Sequence, residues 1–278
     1  MKIAISAEST IDLTKELLEK YDVKTVPFQV LLGETEYKDG EIQPTEIFEF
    51  VKQNKVLPKT SAINSVQYQE YFENILKDYD AIIHISLSSQ ISSSCSHALE
   101  TAKDMQNVYV VDSQSLSTGI ALLAVYAREL ANNGSTAEEV YEKTCAQVEN
   151  VQASFVIDRL DYLHKGGRCS ALALFGANIL KIHPQIMVKD GKMGVHRKYR
   201  GKMEKVVEEY CRDCLQEFSN ANKEIGFVTY TTASDEMIAI AKKAMLDFGF
   251  KNVYETKAGA TISSHCGENT LGILFLNN

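Results

Sequence analysis

The sequence predicts an α/β fold in two parts: an N-terminal α/β domain with a parallel sheet over residues 1–150, and a C-terminal α/β domain with a mixed sheet over residues 151–278. Three observations predict it. Short apolar strand-like runs alternate with helical periodicities through the first half. Polar, often serine-rich turns follow those runs. In the second half, Asp190-Gly191 separates two strand-like segments, the signature of a hairpin and hence of an antiparallel pairing.

Lys2–Ser6 reads as a strand, and Ala7-Glu8-Ser9-Thr10 as a polar turn into a helix over Leu13–Lys20. A single strand is expected over Thr25–Leu32, with Gly33 and Asp39-Gly40 marking turns. Pro44 opens a helix with Ile47, Phe48 and Val51 inward. Pro58 to Ser61 reads as a loop, and Tyr68, Phe72, Ile75 and Leu76 mark one face of the next helix. Ala81–Ile85 is a buried strand, followed by a serine-rich loop and a helix to about Lys103. Val108–Val111 is a strand stopped by Asp112-Ser113. Helix Thr118–Ala131 follows, then Asn133-Gly134, and Ser135–Glu138 fits a capping box.

Phe155-Val156-Ile157 ends a strand, with Asp158 placed to cap a short helical turn that Gly166-Gly167 breaks. Arg168 stands at that break, ahead of an apolar helix over residues 171–181. The hairpin strands His183–Lys189 and Lys192–Arg197 come next, then helix Lys202–Phe218, strand Ile225–Tyr230, helix Asp235–Phe248 and strand Asn252–Thr256. Gly259–Gly267 reads as a small-residue loop before a last strand, Leu271–Leu276.

Composition excludes several classes. The chain has 278 residues, a net charge of −8 and no apolar run near ~20 residues, which argues against general nucleic-acid binding and against a membrane span. The N-terminus lacks the pattern of a signal peptide, and six scattered cysteines fit a reducing cytoplasm. Cys211 and Cys214 have metal-like spacing but lie in a helical pattern with no second pair to answer them. No metal site is expected, no phosphate-binding loop motif is present, and no serine sits in a nucleophile elbow.

The candidate chemistry is anion binding. In parallel sheets ligands sit beyond the carboxyl ends of the strands, where the loops after Ile5, Ile85 and Val111 open. Ser92–Ser94 precede a helix, giving either an anion site or a plain cap. Arg168 beside two glycines is a ready clamp for a carboxylate or phosphate, or a surface arginine after a helix end. His265, in a Gly/Ser segment, can orient an oxyanion or carry a proton.

Taken together, a Ser-Thr turn after the first strand, Thr60-Ser61, Ser88-Ser89 with Ser92, Val111-Asp112-Ser113-Gln114, Gly166-Gly167-Arg168, Lys198-x-Arg200 and Gly259 to His265-x-Gly267 resemble the DegV (FakB-like) family of bacterial fatty-acid-binding proteins. The match runs nearly end to end, with Glu8 where the family carries an aspartate.

The resemblance implies a two-domain DegV-like fold with a long-chain fatty acid as buried ligand and no other cofactor. By resemblance the carboxylate is held by Thr60, Ser61, Ser92, Arg168 and His265. It also implies a cytoplasmic, non-catalytic partner of a fatty-acid kinase that makes an acyl phosphate for phospholipid synthesis, with Arg200 in docking and at most transient membrane contact. The helices over residues 171–180 and 120–130 are candidate tunnel walls. The competing readings are a hydrolase or phosphotransferase using Ser92 with His265, and a small-molecule sensor.

Overall fold

The computed structural model of the protein describes residues 1–169 and 182–278. The expected helix over residues 171–181 lies outside the described residues.

Strand β1 (Ile3–Glu8) is buried along its length, as expected of a central parallel strand. Helix α1 (Lys15–Lys20) starts where the Thr14 hydroxyl accepts from the Leu17 amide. The single strand expected over Thr25–Leu32 is instead two, β2 (Val23–Val26) and β3 (Gln29–Leu32), in different sheets. Pro27, which cannot donate to a ladder, stands at the break. β4 (Thr35–Lys38) returns on β3, and α2 (Pro44–Asn54) buries Ile47, Phe48 and Val51.

The segment expected as a loop before Ser61 contains a third strand of this small sheet, β5 (Lys59–Ser61), pairing Thr60 with Val30. Helix α3 (Ser65–Ile75), strand β6 (Ala81–Ser86), helix α4 (Ser94–Ala102) and strand β7 (Val108–Asp112) follow as read. The four strands of the first sheet run β2-β1-β6-β7, all parallel. Helix α5 (Thr118–Asn132) comes next; α6 (Ala137–Gln147) is capped by Thr136 with Glu139, one residue later than expected.

The remaining strands form one mixed sheet. β8 (Val151–Val156) leads to the short α7 (Asp161–Lys165). The hairpin β9 (Ile182–Lys189) and β10 (Lys192–Arg200) is followed by α8 (Met203–Glu217), β11 (Ala221–Tyr230), α9 (Asp235–Phe248) and β12 (Asn252–Lys257). The expected loop over Gly259–Gly267 contains a helix, α10 (Ala260–Cys266), ahead of β13 (Leu271–Asn277). Strand order is β10-β9-β8-β13-β11-β12, so β10 is an edge.

Helix α5 is buried nearly all round because it packs against strands of both large sheets. One apolar core therefore runs from Ile5 and Ile83 through Leu123 to Phe155, Phe227 and Leu274. A second lies where α8 and α9 cover the mixed sheet, around Val207, Tyr210 and Phe275. A third joins the small sheet to α2, Tyr162 and Ala260. No helix among the described residues is long and apolar enough to cross a membrane.

Candidate functional site

A cavity of about 470 Å³ opens beyond the carboxyl ends of β6 and β7, where the loop Leu87–Ser93 and Leu116 meet α10 and the residues after α7. Thr60, Ser92, Arg168 and His265 all line it. Ser61 does not: strand alternation turns it outward on β5, and it is exposed. Arg200 sits at the exposed end of β10, away from the cavity lining. Sequence reasoning missed the apolar lining supplied by Phe28, Leu87 and Met193. The apolar residues of α5 pack in the core instead of forming a cavity wall, although Leu116, just before it, contributes.

At the polar end, Nε2 of His265 lies 2.8 Å from the Thr60 hydroxyl. Nδ1 is buried and has no hydrogen-bond partner among the described residues. A buried orphan acceptor is better tolerated than a buried orphan N–H, so the hydrogen-bond network assigns the proton to Nε2. His265 then donates to Thr60, whose own proton is free to face an anion. Burial, aided by the Arg168 cation nearby, holds His265 down to about 4, so the ring is neutral at pH 7.

Two backbone features shape this end. A Cβ at Gly166 would come within 2.8 Å of His265 Nδ1, so this close approach needs glycine. Gly167 has φ +71°, which turns the chain so that Arg168 stands at the rim with its Nη1 donating to the Gly166 carbonyl at 2.6 Å. Across the cavity the Ser92 hydroxyl accepts from the Ser94 amide at the start of α4. A smaller void of about 30 Å³ shares Leu116, Ile262 and Cys266 with the main cavity and reaches Phe155 and Leu274.

Beneath the cavity floor, buried Glu8 accepts from Tyr68 (2.7 Å), Ser86 (2.5 Å) and the Leu87 amide (2.9 Å), with His84 at 3.5 Å. Burial pushes its carboxyl up, but His84 and the Ser86 and Tyr68 hydroxyls outweigh this and hold it below the usual range. Ser94 completes the chain by donating to Tyr68, which ties the start of α4 to the loop after β6.

Asp158 does not cap α7. It accepts from Asn269 at 3.0 Å and faces His183 at 3.4 Å. Cys211 and Cys214 are buried on α8, and burial pushes both thiols up. No cluster of three or more metal-ligating side chains occurs among the described residues.

The DegV family model matches residues 2–278. The chain belongs to the DegV family. Among solved structures, this DegV protein is similar to a fatty-acid-binding DegV family protein from Thermus thermophilus, at 26% identity, TM-score 0.92 and full coverage of both chains. It is also similar to DegV of Bacillus subtilis, described as a fatty acid binding protein, at 28% identity, TM-score 0.87 and full coverage of both chains. A relative from Thermotoga maritima named "Fatty acid-binding protein" is 29% identical over 98% of this chain and 96% of its own.

Proposed function

We propose that this DegV protein binds a long-chain fatty acid, with its carboxylate at Thr60, Ser92, Arg168 and His265, between two domains that meet near residue 150. The observation that carries the reading is one cavity whose polar groups gather around the Thr60–His265 bond while Phe28, Leu87, Leu116 and Ile262 line the rest. Burying an acyl chain contributes ~0.8 kcal/mol per CH₂, so an apolar channel with few polar groups at one end suits such a ligand. Relatives of similar fold that bind fatty acids support the same assignment. The chain's tail runs past Leu116 and Ile262 toward Phe155 and Leu274.

The protein presents the bound carboxylate to a separate fatty-acid kinase in the cytoplasm and is not itself a catalyst. The exposed Arg200, on an edge strand that also carries Lys198, serves docking. A hydrolase reading lacks its central contact, because His265 bonds Thr60 and not Ser92. Titration of delipidated protein with oleate, followed by calorimetry, tests the binding. Saturable uptake that weakens in Ser92→Ala and His265→Ala is expected, whereas no uptake, or hydrolysis of p-nitrophenyl esters lost in Ser92→Ala, overturns it.

A further inference from the structure

The helix carrying His265 is held at both ends by the same small sheet. At its carboxyl end His265 meets Thr60 of β5. At its amino end Asp39, directly after β4, accepts the Ala260 amide at 2.7 Å and the Thr261 amide at 3.3 Å. Asp12 accepts the Gly259 amide at 2.7 Å. α10 has seven residues and no side-chain cap of its own, since its N-cap is Gly259. A helix that short is not stable by itself. Its capping therefore comes from residues more than 200 positions away in sequence.

We propose that Asp39 and Asp12 are positioning residues of the head-group site: by gripping the amino end of α10 they set the register of His265 against Thr60. This rests on the reading of that cavity as a carboxylate site. β4 pairs with β3, and β3 pairs with β5 at Val30 and Thr60, so the two grip points share one rigid support. They are separated by ~9 Å of helix, at ~1.5 Å per residue. The two carboxyl groups are themselves fixed. Ser9 donates to Asp39 at 3.0 Å and accepts the Phe28 amide, and Ser117 donates to Asp12 at 2.5 Å. This gives the Ser-Thr turn after the first strand a task. It also accounts for Gly259, where a Cβ would stand 2.9 Å from Asp39 and 3.3 Å from Asp12. Val30, Ile47, Phe48 and Ala260 share one apolar cluster, so the helix is seated as well as capped.

The test uses the full chain and two readouts. The first is the ring titration of His265 by NMR in lipid-free protein, its signal assigned by loss in His265→Ala. The second is oleate affinity. Asp39→Ala is expected to move the His265 midpoint from about 4 toward its ordinary 6.5 and to weaken oleate binding about tenfold. In a His265→Ala background the same substitution should change affinity less than about twofold. Asp12→Ala should act in the same direction, and Asp12→Asn, which keeps an acceptor for Gly259, should restore the signal. That rescue suits a site where burial, with the Asp39 charge nearby, pushes the Asp12 carboxyl up to about 8. If Asp39→Ala does not fold, Ser9→Ala, which removes one donor to Asp39, should give a smaller shift of the same sign. Val207→Ala, in the separate core under α8, controls for general destabilisation. An unmoved His265 titration in folded Asp39→Ala or Ser9→Ala, or an equal shift in Val207→Ala, overturns the proposal. Wild type that fails to bind oleate defeats the head-group reading alone, and the NMR readout then still decides the clamp.

Discussion

His265 and Thr60, 205 positions apart in sequence, share a 2.8 Å hydrogen bond that joins α10 to β5 at the polar end of the cavity. The bond gives the neutral imidazole a partner and leaves the threonine hydroxyl able to donate to an anion. Thr60→Val keeps the β-branched shape that a strand prefers but removes that donor. It is expected to weaken oleate binding about tenfold, the worth of one hydrogen bond to a charged group, and, by stranding the buried His265 Nε2–H, to lower stability by ~1–3 kcal/mol. Titration calorimetry beside a thermal melt checks both parts.

The same histidine makes stability depend on pH. Its folded pKa is depressed, from 6.5 to about 4, by burial and the Arg168 cation. Between those values the unfolded chain binds a proton that the folded chain refuses, so this contribution to stability is present above 6.5 and is lost as pH falls toward 4. Urea midpoints measured across that window should fall less steeply in His265→Asn than in wild type. Equal slopes would show that the histidine is not held neutral by the fold.

Glu8 carries the largest expected stability effect. Its carboxylate accepts three hydrogen bonds in a fully buried setting, two of them from Tyr68 and the Leu87 amide. Glu8→Ala strands those donors and leaves His84 without its acidic neighbour. A loss of ~3–5 kcal/mol is expected, because each buried donor left unsatisfied costs ~1–3 kcal/mol. Equilibrium urea unfolding measures it directly, and a loss below ~1 kcal/mol would mean that the network relaxes without cost.

The docking role proposed for Arg200 predicts that docking and binding come apart in its variant. It is exposed at the end of edge strand β10 and lies off the cavity lining. Arg200→Ala should retain wild-type oleate affinity while lowering acyl-phosphate formation with a fatty-acid kinase. Reduced oleate affinity would instead make the arginine part of the lipid site.

Much of this architecture was legible in the sequence, and the failures have physical causes. Strands β1, β6 and β7 announce themselves as apolar runs closed by polar turns, and the Asp190-Gly191 turn announces the β9–β10 hairpin. Pro27 was the available signal that the run over Thr25–Leu32 is two strands. α10 was illegible because its caps, Asp12 and Asp39, are supplied from the other end of the chain, leaving a local Gly/Ser pattern that reads as loop. Thr60 and Ser61 stand side by side in the sequence, yet a strand sends neighbours to opposite faces, and only Thr60 reaches the cavity. Glu8 was visible only as a turn residue, because its network assembles from α3, β6 and α4.

In the proposed function, the cavity lined by Thr60, Ser92 and His265 holds a fatty acid. Mass spectrometry of lipid extracted from denatured purified protein tests it most directly, with delipidated protein re-exposed to palmitate and oleate as the companion sample. A long-chain fatty acid at about one per chain, regained on re-exposure by wild type and less well by Thr60→Val, is the expected result. Protein that carries no fatty acid and takes up neither palmitate nor oleate would contradict the account.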